Sequence, residues 1–163
     1  MNISSPSKIP RFIAVISGFA SLALGAVVLI GWYTHNQALI QVNPAFVPMQ
    51  YNTALGFSLS GAGLLFLVCH YSRTASIFGI AVLLVGFLTL IEFIFAVDFH
   101  IDQLLMEHYI QVKTSHPGRM APNTALCFTL TGLTTFIAAL LAQHPRSNAW
   151  TGTLGAIILG LGF

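Results

Sequence analysis

The stretch MAPNTALCFTLTGL, residues 120–133, has an earlier counterpart in MQYNTALGFSLSGA, residues 49–62. Eight of the fourteen positions are identical, two more exchange Ser for Thr, and the copies start 71 residues apart. Self-similarity of this kind marks a chain built by repeating one structural unit. Each copy opens on Asn-Thr-Ala-Leu and runs into an apolar segment. Asn is a favoured N-cap, its side-chain oxygen satisfying free N–H groups at a helix start. Asn52 and Asn123 are therefore expected to cap two apolar helices, with Pro122 fixing the approach to the second.

Composition says what the helices are for. Charged residues make up 6% of the 163-residue chain and hydrophobic residues 56%, against about 25% charged in an ordinary soluble domain. Such a chain cannot make the polar shell of a soluble fold. Apolar runs of about 18 or more residues read as membrane-spanning helices. Four such runs cover residues 12–33, 53–71, 76–97 and 124–143, and a fifth apolar segment begins at residue 149 and is still apolar at residue 163. The expected fold is all-α: a polytopic bundle of about five transmembrane helices made of repeated helical hairpins. Residues 1–11 form an N-terminal segment, 12–71 the first hairpin, 72–75 a turn and 76–143 the second hairpin with its loop at 98–122. Residues 149–163 read as the start of a third repeat, interrupted.

Lys8, Arg11, Arg73 and Arg146 fall on one side of this arrangement, Lys113 and Arg119 on the other. The positive-inside rule then puts the N-terminus in the cytoplasm and both long loops outside. The loops echo each other as well, HNQALI from His35 against HIDQLL from His100. The units run in the same direction, and the inverted repeats with broken helices that mark many transporters are absent from the pattern. Small residues at four-residue spacing (Ser17, Ser21 and Gly25; Gly56 and Ser60; Cys127, Thr131 and Thr135; Gly152, Ala156 and Gly160) are expected to let helices approach closely. A net charge of +2 with no basic run gives no reason to expect a nucleic-acid partner. Cys69 and Cys127 read as packing residues near opposite faces.

Chemistry has few places to reside. Glu92 is the one ionisable group well inside a span, where a carboxylate must be paired, protonated or near water. The polar stretch VDFHIDQLLMEHY, residues 97–109, is expected to form an amphipathic surface helix with Phe99, Leu105 and Tyr109 on its apolar face. Asp98, His100, Asp102, Glu107 and His108 offer donor atoms there, but no established metal-ligand spacing occurs, and no metal site is expected. A bis-His haem would need two imidazoles facing one site; His35 with His100 at one face and His70 with His144 at the other are the candidates. No phosphate-binding loop or nucleophile elbow is present, so no enzymatic activity is expected of this chain.

The segment IDQLL at residues 101–105 and PGRMAPNTAL at residues 117–126 resemble the N-terminal multi-pass membrane region of certain bacterial sensory proteins. These are hybrid histidine kinases and diguanylate cyclases, usually with PAS domains after the membrane part. His100 stands where that family often has Gly. The resemblance is closest over residues 91–133 and implies a sensory input module in the bacterial inner membrane. Such a module would pass a stimulus to its own cytoplasmic signalling domains and act as a homodimer. Glu92, Asp98, His100, Asp102, Gln103, Arg119, Asn123 and Asn52 are the candidate sensing residues, with Arg119 expected to pair with Asp98 or Asp102 across the loop. No cofactor is expected on this reading. The alternative is a redox membrane protein that binds haem or quinone through its histidines.

Overall fold

The computed structural model describes residues 8–41, 43, 47–110 and 116–141. Its helices are α1 (Lys8–Thr34), α2 (Gln37–Ile40), α3 (Tyr51–Val68), α4 (Ser72–Phe95) and α5 (Pro122–Leu140). All except the four-residue α2 are long and apolar enough to cross a membrane. The chain is a multi-pass helical bundle, as its composition requires. The expected fifth apolar segment at 149–163 lies outside the described residues; the short α2, inside the first loop, is a helix that the apolar runs did not announce.

Two hairpins make up the bundle. α1 lies along α3 and α4 along α5, while α3 also packs against α4 and α5. Among the described residues, α1 touches neither α4 nor α5, so the hairpins meet through α3. Both long loops emerge at one end, called here the loop face. The turn around Cys69 and His70 marks the opposite end.

The repeat goes deeper than the quoted stretch. In the first hairpin a Cβ on Gly61 would lie 2.6 Å from the Gly18 carbonyl oxygen and 2.5 Å from the Leu22 amide nitrogen. In the second, a Cβ on Gly132 would lie 2.6 Å from the Gly79 carbonyl oxygen and would also strike the amide nitrogen of Leu83. Farther along, Gly25 faces Ala54 and Ser58, and Gly86 faces Ala125 and Thr129. Thus Gly18, Leu22 and Gly25 of α1 correspond to Gly79, Leu83 and Gly86 of α4. Glycine at these crossings lets two backbones touch, and van der Waals packing holds helices together where lipid removes the hydrophobic driving force. The four-residue ladders expected from sequence were partly in the wrong register. Ser21 donates to the Phe57 carbonyl at 2.9 Å, but Ser17 is exposed. The operative spacing on the outbound helices is Gly-x-x-x-Leu-x-x-Gly, and it recurs in sequence at Gly155, Leu159 and Gly162.

The expected caps need correction. α3 begins at Tyr51 after Gln50 (φ −65°, ψ 150°), and α5 begins at Pro122 after Ala121 (φ −65°, ψ 149°). The two chains approach their helices in the same conformation, but neither N-cap makes a side-chain capping bond. Asn52 and Asn123 each stand two residues past the N-cap, too late to cap. The side-chain amide of Asn52 is spent elsewhere, and Asn123 is exposed.

Candidate functional site

The polar stretch after α4 is not a helix. α4 ends at Phe95 with Ala96 as its C-cap, whose φ of 51° lies in the left-handed region, and residues 97–110 follow as irregular chain with bends and one turn. Local side chains compete with the helix here, as Asp and Asn commonly do. Asp98 accepts the His100 backbone N–H at 2.8 Å, and the Gln103 side-chain oxygen accepts the His108 N–H at 3.1 Å. Phe99, Leu104 and Leu105 are left exposed, whereas Ile110 is buried and Met106 and Tyr109 pack beside it. The expected apolar face of Phe99, Leu105 and Tyr109 therefore does not form.

The return strand of the loop presents Arg119 through a turn whose sequence dictates its shape. In His116-Pro117-Gly118-Arg119 the Arg119 N–H reaches the His116 carbonyl at 3.3 Å, and Gly118 has φ 84°. Pro second and a positive-φ Gly third is the pattern of a type II turn. A Cβ on Gly118 would also stand 2.7 Å from the Asp102 carbonyl oxygen, so glycine is required twice over. Across from it, the Gln103 side-chain amide reaches the Pro117 carbonyl at 3.5 Å. The stretches at residues 101–105 and 117–119 are thus two sides of one interlocked loop.

Arg119 is the centre of the site. Its Nε donates to Asp102 Oδ2 at 2.6 Å and lies 3.5 Å from Glu92 Oε2, and one terminal nitrogen lies 3.6 Å from Asp98 Oδ1. The guanidinium carbon stands 5.5 Å from the centre of the Phe93 ring. The Arg119 side chain is 4% exposed, Asp102 8%, Glu92 0% and Asp98 60%, so the cluster runs from the protein interior to solvent. Of the two partners expected for Arg119 from sequence, Asp102 makes the close buried pair and Asp98 the longer, exposed one. Glu92 reaches it because its Oε1 accepts the Phe99 N–H at 2.8 Å, tying the end of α4 to the first residues of the loop. Burial pushes the Asp102 carboxyl above its ordinary range, opposed by the hydrogen bond and charge of Arg119. At Asp98 the His100 N–H dominates, and with the charges of His100 and Arg119 it holds the carboxyl low. Asp102 Oδ1 and Glu92 Oε2 have no hydrogen-bond partner among the described residues.

The same loop then crosses to the first hairpin. The Asn52 side-chain amide donates to the Ile101 carbonyl at 3.0 Å, from α3 to loop. Met106, Tyr109 and Ile110 join the cluster around Val28, Trp32, Ile40, Tyr51 and Ala54. Trp32, 1% exposed, meets the rings of His108 and Tyr109 at centroid distances of 5.6 and 5.0 Å. Burial lowers the pKa of His108. The loop is therefore a strap, locked to its own hairpin by Arg119 and laid over the top of the other. A cavity of about 830 Å³ lies between the hairpins, with walls from α1, α2, the first loop, the start of α3, the end of α4, the Arg119 side of the second loop and the start of α5. Gln50, 6% exposed and with an Oε1 that has no hydrogen-bond partner among the described residues, lines it, as does Arg119.

The structure thus gathers Glu92, Asp98, Asp102, Gln103, Arg119 and Asn52 of the expected residues, with His100 beside Asp98 at 3.9 Å. Asn123 stands apart on the exposed first turn of α5. Of the haem candidates, His35 and His100 share a positive φ of 54° and 58°, but the His35 ring lies tilted against Tyr109 with centroids 4.4 Å apart while His100 faces solvent. His70 sits at the opposite end, and His144 lies outside the described residues. Sequence reasoning missed Trp32 and Gly118. The Pro-Gly-Arg turn signal would have pointed to Gly118; Trp32 carries no local signal, since its partners lie 76 and 77 residues away in the chain. Comparison of the chain with family models, with curated proteins and with solved structures gave no match.

Proposed function

We propose that this chain is the membrane-embedded sensory input module of a bacterial signalling protein, lying in the inner membrane with its N-terminus in the cytoplasm and the loop face outside. The strap carries this reading. An ionic lock holds it to the second hairpin while Asn52 and the Trp32 cluster hold it to the first, and α1 has no helix contact of its own with α4 or α5. A stimulus that favours one arrangement of the strap over another would bias how the hairpins sit, by no more than its differential affinity for the two arrangements. The motif halves that resemble the sensory family are the ones that build the lock. On this reading the chain performs no catalysis; its output comes from kinase or cyclase domains of the same polypeptide, working as a homodimer.

The test starts with the reading frame past Phe163, followed by autophosphorylation or cyclic dinucleotide synthesis in membrane vesicles of the encoded polypeptide. Asn52→Ala and Asp98→Asn are expected to change that output at unchanged protein level. A frame without output domains, or output indifferent to both substitutions, would overturn the proposal.

A further inference from the structure

The chain contains only four acidic residues, and all four meet at one place. Glu92, Asp98 and Asp102 converge so that one ligand atom from each lies within 4.8 Å of the others. Glu107 lines the polar cavity of about 350 Å³ that opens from this cluster at the loop face, together with Asp98, Asp102, His100 and Arg119. Three converging carboxylates face a single guanidinium, which leaves negative charge in excess. A separate observation concerns what the guanidinium leaves unused. Asp102, 7% exposed, gives Oδ2 to Arg119, and its Oδ1 has no partner; Glu92, 0% exposed, gives Oε1 to Phe99, and its Oε2 has no hydrogen bond. Buried charges are normally paired or coordinate a metal; Arg119 pairs with both carboxylates, yet one oxygen of each is left without a hydrogen bond among the described residues and out of reach of bulk water.

We propose that this cluster binds Ca²⁺ through Glu92, Asp98 and Asp102, with the cavity as its path from outside and water completing the shell. Oxygen donors suit a hard cation. An irregular trio of carboxylates beside a guanidinium suits the flexible coordination of Ca²⁺ better than the near-ideal octahedron that Mg²⁺ demands. Arg119 remains beside the ion and weakens it by like-charge repulsion, which sets the affinity in the range of roughly 10⁻⁴–10⁻³ M typical of extracellular modules. The ion also competes with Arg119 for Asp102, so binding and the ionic lock of the strap are coupled. This would name the stimulus of the sensor reading, but the binding itself does not depend on that reading.

The experiment is calorimetry on the EDTA-stripped chain in phosphatidylcholine nanodiscs, titrated with CaCl₂ or MgCl₂ at matched ionic strength, with empty nanodiscs as blank. One saturable Ca²⁺ site is expected, tighter than that for Mg²⁺. Asp98 is the exposed ligand, so Asp98→Asn leaves the buried lock in place and is expected to weaken Ca²⁺ by at least the roughly tenfold typical of outer-shell partners. Glu107→Gln, in the cavity wall but outside the converging trio, is expected to weaken it less. No saturable heat up to about 10 mM, tenfold above the weak end of that affinity range, overturns the proposal. So does Asp98→Asn binding Ca²⁺ as the wild type does. Because the readout is binding, a failure of the signalling assay leaves this result standing, and the reverse also holds.

Discussion

In the first hairpin the outbound helix reaches the loop face at Gly31; in the second, the corresponding position is Glu92. Each stands four residues before a left-handed residue, His35 and Ala96. Gly31 is covered by Leu39 and Ile40 from the short α2, and the first loop closes with Trp32 donating to the Met49 carbonyl at 3.0 Å and Tyr33 meeting Tyr51 at 2.8 Å. Residues 12–72 contain no Asp, Glu, Lys or Arg at all. Glu92 is met instead by Arg119 and the Phe99 N–H, in a loop that carries every other acid of the chain. Within the membrane the hairpins remain copies, down to Ala54 and Ala125 at 0% exposure and the Gly61 and Gly132 crossings. One duplicated scaffold has kept its helix interface and given its two loops different closures, one apolar and one ionic. The proposed function rests on the ionic one.

Breaking that ionic closure has the largest expected effect. Arg119→Ala leaves two buried carboxylates without their cation, and breaking a buried ion pair in this way costs roughly 3–5 kcal/mol. Chemical or thermal unfolding in detergent should show it as the most destabilising single change in the loop. Glu92→Gln sharpens the comparison, because it keeps an acceptor for the Phe99 N–H while removing one excess charge. Its stability in the same assay should lie close to wild type, far from that of Arg119→Ala. Next come the shared crossings. Gly61→Leu and Gly132→Leu force side chains into backbone contacts, with overpacking costs of roughly 1–3 kcal/mol each. If the hairpins are true copies, the two losses should be similar, and a large inequality would break the equivalence.

The smallest expected effect belongs to His108. Burial lowers its pKa in the folded chain, so the unfolded chain, at the ordinary value of 6.5, takes up the proton more readily. The stabilisation is present above that value and is lost as pH falls through the folded pKa. Fluorescence of Trp32 in a Trp150→Phe background should therefore report loosening of the strap between pH 7 and 5, and His108→Phe should abolish that pH dependence.

How much of this was legible in sequence follows from the range of the interactions. The helices and their duplication were legible, because apolar runs and the repeated Asn-Thr-Ala-Leu are local patterns. A pairing of Arg119 with Asp98 or Asp102 could be expected in advance because the loop that joins them holds few charges. The capping roles of Asn52 and Asn123 were misread. A helix start shifted by two residues frees Asn52 for a bond to Ile101, 49 residues away, and no local pattern announces that. The strap looked like an amphipathic helix by spacing alone, and it is not one, since Asp98, Asp102 and Gln103 each spend their side chains on loop partners. The Gly-x-x-x-Leu-x-x-Gly register emerged only once the backbones that touch were known.

The most direct test is the distance between the two loops in proteoliposomes. Spin labels at Val47→Cys and Leu104→Cys, both exposed sites, in a Cys69→Ser, Cys127→Ser background would be measured by pulsed electron resonance with Arg119 intact and with Arg119→Ala. The account predicts one narrow distance with Arg119 present and a broadened or second distribution without it. An unchanged narrow distance after Arg119→Ala would contradict the claim that an ionic lock holds the strap across the hairpins.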